Sequence, residues 1–181
     1  MGWKPTTEQQ TLFNRLVDEG LIIEQDYINF LDRHSQPGEE KEVQKILERL
    51  IAATGITDVN SNITSANFKI REEPDDRELV LSHLNRLATT EEVYTFMRDE
   101  GIQPEGPEYL ARYAKDHPDE GLEYPVVALD KEKLWQGPGG GLGCVVLWGD
   151  GGGGVRRFNL GWIDRRWCAF FRFLGSRKLK P

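Results

Sequence analysis

Phe158-Asn159-Leu160-Gly161-Trp162-Ile163-Asp164-Arg165-Arg166-Trp167-Cys168-Ala169-Phe170-Phe171-Arg172-Phe173-Leu174 is the stretch on which the fold turns. Its opening alternates: Phe158, Leu160 and Trp162 are apolar, while Arg157, Asn159 and Gly161 stand between and before them. A period of two marks a strand with one covered face, because successive side chains leave a strand on opposite sides. The expectation is a packed face holding Phe158, Leu160 and Trp162, and an open face carrying Arg157, Asn159 and Gly161. A further strand is expected from Trp167 to Leu174.

Upstream, Pro125 to Leu129, Leu142 to Trp148 and Val155 to Trp162 also read as short strands. They are punctuated by Gly137-Pro138-Gly139-Gly140-Gly141 and by the glycine run from Gly149 to Gly154, both turn chemistry. Glu78-Leu79-Val80-Leu81-Ser82-His83-Leu84 reads as another strand. Thr89 with Glu92 forms a capping-box pattern that opens a helix burying Val93, Phe96 and Met97 and ending at Gly101. Pro107 suits a first helical position and opens a helix with Tyr109, Leu110, Tyr113 and Ala114 on one face, stopped by Pro118.

The N-terminal part reads as helices. Thr6 with Gln9 is another capping-box pattern, followed by Leu12, Phe13, Leu16 and Val17, with Gly20 as a stop. A short helix with Tyr27, Ile28 and Leu31 follows, and residues 39–54 carry Val43, Ile46, Leu47, Leu50 and Ile51 at helical spacing up to Gly55. The expected organisation is a helical region over 1–55, a polar connection over 56–76 and a domain over 77–181. Strand, helices and then several short antiparallel strands make this an α+β order rather than an alternating parallel one.

With 181 residues the chain has room for one domain plus a helical appendage. It shows no apolar run of membrane-spanning length and no secretory leader pattern, so a cytoplasmic location, or export by another route, is the default expectation. The net charge of −7 is uneven: residues 151–181 carry +7 and the rest −14. That split fits a basic ligand-facing surface on an acidic body, or two parts that pair with each other. Cys144 and Cys168 lack a CxxC or a partnering histidine and read as reduced packing residues. His34, His83 and His117 fall in separate elements, and the glycine runs lack a phosphate-loop lysine and a following helix. No catalytic residue, metal ligand or cofactor is therefore assigned.

Two segments resemble a known family. Thr89-Thr90-Glu91-Glu92-Val93, with Gly101-Ile102-Gln103-Pro104-Glu105-Gly106-Pro107-Glu108-Tyr109-Leu110, resembles the two-helix element of the C-type lectin and formylglycine-generating-enzyme-like fold, with its G-x-x-P-x-x-x-E turn. The tail looks like that of variable proteins diversified by retroelements. It is similar to candidate-phylum bacterial proteins ending in W-x-D-x-x-W-x-x-x-x-RFL-x-x-RK. The Ile63-to-Phe68 and Glu78-to-Arg86 segments are also similar to that group. The resemblance covers residues 60–181 and implies a C-type-lectin-like domain, two helices plus short antiparallel strands, behind an N-terminal helical region. It implies a framework of Leu160, Trp162, Asp164, Trp167, Arg172, Phe173 and Leu174. The displayed, variable positions would be Trp148, Asp150, Arg157, Asn159, Gly161, Arg165, Arg166, Cys168, Ala169 and Phe170. The lectin calcium motifs and the cysteine and metal chemistry of formylglycine generation have no counterpart, so no calcium, sugar or catalysis is carried over.

The expected function is a non-enzymatic ligand-binding display protein whose partner is a macromolecule, foremost a protein. Membrane and nucleic-acid partners are not expected, and self-association through the N-terminal helices is a further expectation. The alternatives are a formylglycine-generating-enzyme-like catalyst and a nucleic-acid binder using the basic, aromatic tail.

Overall fold

The computed structural model describes residues 45–149 and 154–177, which belong to a compact unit spanning Gln44–Pro181. The helices expected before residue 45, their self-association and Asp150 lie outside the described residues. In chain order the elements are α1 (Ile46–Ala52), β1 (Asp58–Val59), β2 (Glu78–Ser82), α2 (Thr90–Asp99), β3 (Ile102–Pro104) and α3 (Pro107–Asp116). There follow β4 (Val126–Ala128), a 3-10 turn (Lys131–Lys133), β5 (Trp135–Gln136), β6 (Leu142–Gly149), β7 (Arg156–Trp162) and β8 (Arg172–Arg177). The class is α+β, with an eight-stranded sheet ordered β1-β7-β6-β4-β8-β2; β3 also pairs with β8, and β5 with β6.

The sheet is mixed rather than antiparallel throughout. β4 runs parallel to β8, and β1 parallel to β7. Parallel neighbours need a long excursion between them, and the β5–β6–β7 meander plus residues 163–171 supplies it for β4 and β8. The strand expected over 167–174 begins only at Arg172; the residues before it form that loop, in which Trp167 makes an isolated antiparallel bridge to Ala88.

Both faces of the sheet are covered, which explains the unbroken apolar run of β6. Val145 and Leu147 join a cluster with Val126, Ala128, Phe158 and Leu174, closed by Leu47 and Ile51 of α1 and Leu110 and Ala114 of α3. Cys144 and Val146, pointing the other way, join Val127, Leu129 and Phe173 under Val93 and Met97 of α2, with Trp167 and Phe171. A strand buried on both faces does not alternate in polarity.

α2 is capped as its sequence demands: the Thr89 hydroxyl accepts from the Glu92 amide while the Glu92 carboxylate accepts from the Thr89 amide. α3 begins with Pro107 at its first turn and ends at Asp116, two residues before the expected stop at Pro118. Residues 56–76 are more than a connection. Ile63, Phe68 and Ile70 are buried in the first cluster, and the Ser65 hydroxyl accepts from the Leu47 amide and donates to Glu48. α1 itself packs on α3 within the same unit, so the boundary expected at residue 55 falls inside a packed region.

Candidate functional site

Across β6 and β7, Trp148 stands opposite Arg157, Val146 opposite Asn159 and Cys144 opposite Gly161. Directly opposed residues share a face, so Trp148, Arg157, Asn159 and Gly161 lie on the α2 side of the sheet. Trp148 is exposed, and the Arg157 guanidinium lies 6.0 Å from its ring centre and 3.5 Å from the Asp58 carboxylate on β1. Asn159 is exposed and accepts a hydrogen bond from the Asn60 amide at 3.3 Å.

Gly161 departs from the expected open position. It is buried, and a Cβ there would come 2.9 Å from Val146 Cγ2 and 3.4 Å from the Trp167 ring. The Trp167 side chain covers this part of the face, so Gly161 displays nothing. Trp162 departs in the opposite sense. Expected inward, it is 44% exposed, its indole stacked on Trp135 at 5.9 Å and laid against Gly137. Asp164, expected as framework, is also exposed, whereas Phe173 and Leu174 are buried. Arg172 is half-buried, its guanidinium 4.4 Å from the Tyr124 ring centre.

Residues 163–171 form the second part of the site, held by Trp167. That side chain is fully buried, meets Phe171 and Phe173 edge-on, and donates from Nε1 to the Thr90 hydroxyl at 2.9 Å. The same hydroxyl donates to the Ile163 carbonyl, and Trp167 and Ala88 exchange two backbone hydrogen bonds. His83 Nε2 donates to the Ala169 carbonyl, and the Phe171 amide to the Cys168 carbonyl. Around this anchor Arg165, Arg166, Cys168, Ala169 and Phe170 are all exposed. Arg165 lies 5.2 Å and 5.1 Å from the Trp167 and Phe171 ring centres, and Phe170 stacks on Phe171.

The two cysteines differ in setting. Cys144 is buried, its thiol donating to the Gly161 carbonyl, and burial pushes that thiol up to about 12; Cys168 is exposed. A neutral, enclosed thiol is a packing group rather than a nucleophile.

A buried ionic network went unread in the sequence. Glu105 accepts from Arg77 at 2.8 Å and from the Ser176 hydroxyl, while Glu108 pairs with Lys133. Arg77 also grips Asp75, which the Tyr109 hydroxyl reaches as well. Burial pushes the Glu108 carboxyl above its ordinary range, against the pull of Lys133, and its Oε2 packs beside Gly106 without a hydrogen-bond partner. These contacts tie the lead-in of β2 to α3. Among the described residues no group of three or more histidine, cysteine, aspartate or glutamate side chains is arranged to hold a metal, and no helix is long and apolar enough to cross a membrane.

No family model, curated protein or solved structure matches the chain.

Proposed function

We propose that this protein is a ligand-binding display protein, its fold a C-type-lectin-like variant of the kind retroelements diversify, and that its partner is a macromolecule, foremost a protein. One observation carries the reading: a loop of exposed arginine and aromatic side chains is fastened by a single fully buried tryptophan. Trp167 engages Thr90, Ala88, Phe171 and Phe173, so the loop's shape depends on residues other than those it shows. Arginine and aromatic side chains are the ones that most often dominate interface energies. Surface replacements typically change stability by within about 0.5 kcal/mol, whereas emptying a core site costs about 2–5 kcal/mol. Positions of the first kind can therefore vary while the second kind keeps the fold.

The displayed set is Trp148, Arg157, Asn159, Arg165, Arg166, Cys168, Ala169 and Phe170, with Gly161 withdrawn because its surroundings leave no room for a side chain. Sequencing the coding locus across many cells of the source population tests the reading. Differences should concentrate at the displayed codons and spare those of Trp167 and Phe173, with a reverse transcriptase and a near-copy of the tail's coding sequence nearby. Differences spread evenly along the tail, with neither element present, contradict it.

A further inference from the structure

We infer that the partner presents an acidic side chain beside an apolar one, the carboxylate meeting Arg165 and Arg166 and the apolar group entering the adjoining cleft. The inference rests on the proposed reading of this face as a binding surface and names what that surface accepts.

The arginines make the first argument. Arg49, Arg77, Arg86, Arg98, Arg112 and Arg157 each pair with a carboxylate of this chain. Arg165 and Arg166 are adjacent and exposed, and among the described residues neither is in an ion pair, as is also true of the isolated Arg71; what sets Arg165 and Arg166 apart is their adjacency on the Trp167 loop. Arg165 is also oriented in advance, with the Trp167 and Phe171 rings beneath its guanidinium. A guanidinium held against aromatic rings with no carboxylate partner among the described residues keeps its N–H donors for one, and ordering it beforehand lowers the entropy lost on binding.

The cleft makes the second. It has a volume of about 430 Å³ and is bordered by Arg165, Asp164, Ile163, Leu142, Glu91 and Thr90. Leu142 is 40% exposed on its rim, beside the half-buried Ile163. An aliphatic or aromatic side chain has apolar wall to meet there, within reach of the Arg165 guanidinium. Asp164 and Glu91 at the same rim, together with the chain's negative charge, oppose a continuous phosphate backbone, which needs several clustered cations for affinity. A protein or peptide segment with a local acid satisfies the site; a nucleic acid does not.

The test is selection of phage-displayed random peptides on the immobilised full-length chain, repeated on the R165E/R166E double variant and on F170A. Selected peptides should carry Asp or Glu next to an apolar residue. They should lose affinity by about tenfold or more on the charge-reversed chain, and that chain should select Lys- or Arg-bearing peptides instead. Peptides that depend on Phe170 but show no acidic preference overturn this inference and leave the display reading standing. Peptides that bind all three chains equally overturn both. Tighter binding of an oligothymidylate than of any selected peptide, falling steeply with salt, overturns the choice of partner class.

Discussion

Thr90 and Trp167 meet at a point where three segments are joined: the start of α2, the turn at Ile163 and the loop leading into β8. Trp167→Ala removes a fully buried indole and one hydrogen bond, so it should cost about 3–5 kcal/mol in chemical denaturation; a loss below about 1 kcal/mol would show that the loop does not depend on it. Gly161→Val probes the same contact from the strand. The added methyls must displace Val146 or Trp167, and overpacking of this kind costs about 1–3 kcal/mol. A neutral result would return Gly161 to the displayed set. Arg165→Ala, by contrast, removes a guanidinium lying on two rings but leaves the rings themselves buried.

At the scale of elements, α2 shows how closely local sequence dictates its own ends. The Thr89 amide, foremost, and the Arg86 guanidinium hold the Glu92 carboxyl down at about 2, from an ordinary 4.5. A carboxyl lowered on folding contributes stability above its unfolded value and loses it as the folded value is approached. The stability difference between the wild type and Glu92→Ala should therefore be full above about pH 5 and shrink as pH falls toward 2; a difference constant over that range contradicts the cap's electrostatic role. Both described capping patterns were legible because they are local: Thr89 with Glu92, and Pro107 at the head of α3. The strand β7 was legible as a strand for the same reason, but its exposure was not. Alternation separates two faces without saying what covers each. Residues 163–171 cross back over Gly161 and leave Trp162 open at the strand's end, a consequence of tertiary packing that a period of two cannot contain. Phe68 and Ile70 were hidden for a related reason: a turn-rich, polar segment carries no periodicity even where its few apolar residues fill the core. The Glu105 and Glu108 network was equally silent, since its partners Arg77, Lys133 and Ser176 are far apart in the chain.

For the molecule as a whole, packing both faces of one sheet has a functional consequence. The α1 and α3 side closes the first cluster, the α2 side closes the second, and the loop bearing Arg165, Arg166 and Phe170 sits over the second. The display side chains thus rest on a layer that other residues complete. If that division is real, substitutions should separate cleanly by layer. Thermal unfolding of the full chain measures it directly, comparing R165A/R166A/F170A with W167A. The account predicts a midpoint within about 2–3 °C of the wild type for the triple variant and a fall of about 10 °C or more for W167A. A triple variant as destabilised as W167A would mean that the exposed residues are themselves the scaffold, and the display account would fail.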